Sequence, residues 1–81
     1  MTPDEARSMI AEALARIAPG TDLDELDPDE SLAEEADLDS MDLLSLLDAL
    51  HERTGLELAE ADAAQLRTLN SAVAYLVAAS G

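Results

Sequence analysis

With 81 residues, 48% of them hydrophobic, the chain is long enough for one small core, and the absence of cysteine excludes disulfides and thiolate metal sites. Its 19 acids against four arginines give a net charge of −15, which argues against nucleic acid or an anionic membrane as partner and favours basic protein surfaces or cations. The apolar residues are Ala, Leu, Val, Ile and Met with a single Tyr and no Phe or Trp, a composition suited to helices packed through aliphatic side chains.

Thr2, Pro3 and Glu5 form the signature of a capping box with proline at the first helical position. Ala6, Met9, Ile10, Ala13, Leu14 and Ile17 then recur at a 3.6-residue period, and Pro19-Gly20 stops the helix. From Thr21 to Asp39 runs a long acidic segment, pinned by Leu23, Leu26, Leu32 and Leu38, with a helical turn expected near Ser31 to Glu35. Of the 19 acids, 11 lie between Asp22 and Asp42, so added salt or Mg²⁺ should stabilise the fold. Asp39 caps the next helix, with Asp42 at its third position, and Gly55 ends it after Thr54. A short helix is expected over Glu60 to Leu66. The last starts at Thr68 or Asn70 and carries Leu69, Ala72, Val73, Leu76 and Val77 at core spacing, with Tyr75 packed against the first helix.

These elements predict an all-α four-helix bundle, three helices longer and one short, with a long acidic loop between the first two, as one domain over residues 1–81. No secretory signal is visible, and the apolar run Ala72 to Ala79 is too short to span a bilayer, so a cytoplasmic monomer without membrane insertion is expected.

On a helical wheel, Leu43, Leu46, Leu47 and Leu50 share one arc of about 100°. Met41 and Leu44 fall outside it, in the sector of Ser40, Ser45, Asp48 and Glu52. Apolar groups rimmed by acids suit a transient docking face, since contact supplies affinity and charge supplies steering. The rival is that both residues tuck partly into the core. Ser40 itself opens the helix, where unpaired N–H groups favour a phosphate. The sole histidine, His51, is about three turns away and cannot activate that hydroxyl, so modification of Ser40 requires another enzyme. His51 is expected on the helix surface. An EF-hand frame from Asp27 puts Leu32 and Leu38 at loop positions 6 and 12, and one from Asp22 puts Leu26 at 5 and Ala33 at 12; both fail, and no metal site is expected beyond weak cation binding.

Asp39-Ser40-Met41-Asp42-Leu43-Leu44 resembles the attachment motif of the acyl carrier proteins. Leu26 to Leu32 resembles that family's acidic loop, Leu56-Glu57-Leu58 with Ala61-Asp62-Ala63 the entry to its short third helix, and Thr68-Leu69 with Ala72 to Leu76 its last helix. The resemblance implies a 4′-phosphopantetheine arm, moved from coenzyme A to Ser40 by a phosphopantetheinyl transferase, that bears acyl intermediates as thioesters. It implies a carrier and no catalyst, with no catalytic residues. Its partners would be acyl-loading, condensing and processing enzymes with basic patches. Docking would use Asp39, Met41, Asp42, Leu44, Asp48, Glu52 and Glu60, and Leu46 and Leu50 would line an acyl-chain cavity.

Asp37 stands where the family usually has Gly, Ser45 and His51 where fatty-acid carriers commonly have acids, Thr54 where an aromatic is frequent, and Ala59 where Pro often opens the third helix. These departures favour a specialised polyketide or lipid pathway at least as much as housekeeping fatty acid synthesis. Two alternatives stay open: a stand-alone peptidyl or aminoacyl carrier, whose usual Gly-Gly-x-Ser is absent, and an unmodified acidic module that binds a basic protein.

Overall fold

A computed structural model describes residues 1–81 as an all-helical fold without strands. Helix α1 spans Pro3–Ile17, α2 Leu32–Glu35, α3 Ser40–Thr54 and α4 Leu69–Ser80; a 3₁₀ helix covers Glu60–Leu66 and a 3₁₀ turn Leu23–Glu25. The bundle formed by α1, α3, α4 and the 3₁₀ helix matches the expected architecture. The acidic connection holds the expected helical turn as α2 and, beyond the expectation, a 3₁₀ turn.

Local chemistry sets the boundaries. Thr2 and Glu5 exchange hydrogen bonds at 3.2 Å each, completing the capping box of α1 and holding the Glu5 carboxyl below its ordinary range through the Thr2 backbone and hydroxyl. Thr68 caps α4 by accepting the Ser71 N–H, and Ser71 Oγ accepts the Thr68 N–H in return, both at 3.0 Å. Gly55 ends α3 at φ 72°, a left-handed conformation that glycine adopts without a Cβ penalty.

The end of α2 uses a different residue for the same geometry. Asp37 sits at φ 55°, its N–H donating to Glu34 O at 3.4 Å, while Leu38 N–H donates to Ala33 O at 2.7 Å. This is a Schellman motif with aspartate in glycine's usual place, and Leu38 follows it into the core. Asp37 thus carries backbone strain two residues before the cap of α3.

Fifteen buried residues form one cluster. Helix α1 supplies Ala6, Ile10, Ala13 and Leu14, α3 supplies Leu46, Leu47 and Leu50, and α4 supplies Leu69, Ala72 and Leu76. Leu23, Leu32 and Leu38 pin the acidic segment to that cluster, and Leu26 is half-buried against it. Each buried Leu or Ile contributes on the order of 2 kcal/mol of transfer free energy, offsetting the repulsion of the acids outside.

Polar contacts from the far end of the chain tie down the same segment. Ser31 and Thr68 form an antiparallel bridge, and Leu32 N–H donates to Arg67 O at 2.8 Å. Asn70 donates its backbone N–H to Pro28 O at 3.1 Å and its side-chain amide to Asp29 Oδ1 at 2.7 Å. Arg7 pairs with Asp24 at 2.7 Å, and Arg53 joins α3 to Glu12 of α1 at 2.8 Å. Tyr75 does not look to α1 with its hydroxyl, which donates to Asp62 of the 3₁₀ helix at 3.1 Å. Burial and that carboxylate together raise the Tyr75 pKa. No helix is long and apolar enough to cross a membrane.

Candidate functional site

Ser40 is the first residue of α3 and is exposed. Asp39 precedes it as N-cap, with Oδ1 accepting the Asp42 N–H at 2.8 Å, and Asp42 Oδ2 accepts the Asp39 N–H at 3.2 Å. Leu43 N–H donates to the Asp39 carbonyl at 3.1 Å. The N–H groups of Ser40 and Met41 remain free of any protein acceptor, and so does the Ser40 hydroxyl. A reachable hydroxyl therefore stands beside two outward-facing donors at the positive end of a 15-residue helix. A phosphodiester on Oγ fits such a place, because it finds donors that no protein group uses.

The face beside Ser40 is the one the helical wheel left outside the core. Met41 is 69% exposed and Leu44 36%, while Leu46, Leu47 and Leu50 are buried. Met41 therefore stands outside the core, and Leu44 lies at its edge, partly covered. Met41, Leu44, Ser45, Leu47, Asp48, Leu58 and Glu60 line a hollow of about 220 Å³. Leu58 reaches it from the connection after α3, and Glu60 from the start of the 3₁₀ helix. Asp48, Leu58 and Glu60 also border a second hollow of about 430 Å³, completed by His51, Glu57 and Ala59.

Among the expected docking residues, Met41, Leu44, Asp48 and Glu60 thus meet around one depression. Asp39 and Asp42 are occupied in capping, and Asp42 is half-buried. Glu52 is exposed on α3 but borders neither hollow. Leu58 is not in the sequence-based set; its one signal is the Leu56-Glu57-Leu58 alternation, which puts both leucines on one side of an extended stretch. Leu46 and Leu50 are both 0% exposed and line none of the surface hollows. They belong to the packed core between α1, α3 and α4. Another hollow, of about 390 Å³, lies at the starts of α1 and α4 and includes none of the candidate residues.

His51 is exposed, as expected, and its Nδ1 meets the Leu56 carbonyl. No side chain with which Ser40 would form a nucleophile–base pair approaches it. Fold and site together define a small acidic helical bundle that presents a serine hydroxyl at a helix tip, an architecture for bearing a group rather than transforming one.

The comparisons with known proteins agree. A family model described as "Phosphopantetheine attachment site" matches residues 4–76. The chain is 35% identical over 78 residues to an acyl carrier protein of Chlamydia caviae, covering 96% of this chain and 95% of the relative. It is 36% identical over 58 residues to an acyl carrier protein of Rubrobacter xylanophilus, covering 72% of each. It is 28% identical over 76 residues to the meromycolate extension acyl carrier protein of Mycobacterium bovis, covering 94% of this chain and 65% of that one. The chain belongs to the phosphopantetheine-binding acyl carrier protein family. It is a carrier and not an enzyme, and 4′-phosphopantetheine is its prosthetic group.

Proposed function

We propose that Ser40 is the attachment residue and that residues 1–81 act as one monomeric carrier domain in the cytoplasm. The observation that carries this reading is the free Ser40 hydroxyl at the head of α3, next to the unpaired N–H groups of Ser40 and Met41. Attachment joins Ser40 Oγ to the pantetheine-side phosphorus of coenzyme A, breaks that phosphorus's bond to the bridging pyrophosphate oxygen, releases adenosine 3′,5′-bisphosphate and passes the hydroxyl proton to the transferase. When bound, the arm supplies a terminal thiol that carries acyl groups as thioesters. The chain's own residues keep the linkage at a rigid helix tip, and the Asp39–Asp42 capping box fixes that tip. Proteolysis after transferase loading tests the assignment: the added mass should map to the peptide containing Ser40 and to no other.

Docking falls to Met41, Leu44 and Leu58, with Asp48 and Glu60 steering basic partners to them. A transferase and the enzymes that load, condense and process the acyl group are the partners this face suits. A long acyl chain enters between the helices only if the leucines around Leu46 and Leu50 part, since both are fully buried.

We assign the cargo to fatty acid, polyketide or related specialised lipid synthesis. The relatives named for acyl carriage, one of them for meromycolate extension, support an acyl cargo over an aminoacyl one. Asp37, Ser45, His51, Thr54 and Ala59 support a specialised pathway at least as much as the housekeeping one.

A further inference from the structure

We propose that His51 makes docking on the α3 face proton-linked, so that a basic partner binds more weakly once the imidazole is protonated; this rests on the reading that the face around Met41, Leu44 and Asp48 meets basic proteins. The Leu56 carbonyl only accepts, so in the neutral ring Nδ1 carries the proton. No other hydrogen bond within the chain engages the ring, which leaves Nε2 as the nitrogen that accepts a donor or takes up a proton. His51 borders the hollow of about 430 Å³ together with Asp48 of α3, Glu57 and Leu58 of the connection, Ala59 and Glu60. That hollow shares Asp48, Leu58 and Glu60 with the one beside Met41 and Leu44.

The charged groups around the ring are all acidic: Asp48 one turn back on its own helix, Glu57 from the connection and Glu60 from the 3₁₀ helix. Glu52 follows His51 in sequence but is turned about 100° away on the helix. Arg53 is held by Glu12 of α1 and lines neither hollow. The occupant these groups select is an arginine or lysine side chain of the partner, at the edge of its contact with Met41 and Leu44. With the ring neutral, such a group meets three carboxylates and one further acceptor. With the ring protonated, the acceptor is lost and one of the three negative charges is cancelled. Affinity for the partner therefore falls as pH falls.

The test is binding of the unmodified protein to a broad-specificity phosphopantetheinyl transferase without coenzyme A, at pH 7.5 and 5.5 and constant ionic strength. Wild type is compared with His51→Asn, which keeps an amide donor near the position of Nδ1 and does not titrate, and with His51→Arg, which is always cationic. The transferase titrates too, so the readout is the ratio of the wild-type Kd to that of His51→Asn. That ratio should rise about three- to tenfold between pH 7.5 and 5.5, with His51→Arg binding weakly at both. Circular dichroism at both pH values shows that each variant is folded. An unchanged ratio, with wild type still binding at pH 7.5, overturns the role of His51 and leaves the docking face standing. Failure of every protein to bind at pH 7.5 overturns the docking reading and this inference with it.

Discussion

Asp39 and Asp42 cap one another: Asp39 Oδ1 takes the Asp42 N–H at 2.8 Å and Asp42 Oδ2 takes the Asp39 N–H at 3.2 Å. The pair brackets Ser40 and Met41, so two acids that the family resemblance assigns to docking also hold the helix tip in place. Asp39→Ala should cost about 1 kcal/mol in denaturant unfolding, as loss of an N-cap commonly does. Asp42→Lys should also destabilise, because it breaks the reciprocal bond and puts a cation at the positive end of α3. Unfolding midpoints equal to wild type for both would remove the cap from the account.

The Asp48 and Glu60 carboxylates make no hydrogen bond within the chain and are exposed beside Met41 and Leu44. Their charge is free for a partner. Asp48→Lys and Glu60→Lys should each weaken transferase binding by on the order of 1 kcal/mol with little change in melting temperature. Equal affinity in both variants would contradict the docking face.

Asp37 holds the left-handed position that ends α2, at φ 55°. A side chain costs about 1 kcal/mol there, less for aspartate than for most residues, and the charge adds to a crowded acidic stretch. Asp37→Gly should therefore raise stability by about 0.5 kcal/mol or more, after allowing for the greater freedom of glycine in the unfolded chain. The measurement is the shift in urea midpoint, and a loss of stability would contradict it.

Tyr75 donates to Asp62 at 3.1 Å, and partial burial together with that carboxylate raises its pKa. A folded-state pKa above the unfolded one contributes stability that is fully present below the unfolded value near 10 and is lost as pH rises through the higher folded value. Wild type should thus lose stability above pH 10 more steeply than Tyr75→Phe, which lacks the ionisable hydroxyl. Parallel pH profiles for the two proteins would contradict this.

The helices were legible because their signals are local. Thr2-Pro3, Asp39, Gly55 and Thr68 mark ends that the structure keeps to within a residue. The arc containing Leu46, Leu47 and Leu50 and the exposure of Met41 and Leu44 follow from period alone. The leucine anchors of the acidic segment were legible, but its polar ties were not, because Ser31–Thr68 and Asp29–Asn70 pair residues far apart in sequence, and nothing local in either partner specifies the other. Leu58 was missed for the same reason: its place beside Met41 depends on how the chain turns after Gly55. Asp37 hid its role because aspartate gives no turn signal as strong as glycine does. The acceptor of the Tyr75 hydroxyl, Asp62, was not legible, because nothing local to either residue specifies a pair 13 residues apart.

The central claim is that Ser40 accepts the phosphopantetheine arm, and intact mass after incubation with coenzyme A, Mg²⁺ and a broad-specificity transferase tests it most directly. Wild type and Ser45→Ala should each gain about 340 Da, while Ser40→Ala, folded by circular dichroism, should gain nothing. An unchanged wild-type mass, or the same gain in Ser40→Ala, would contradict the account.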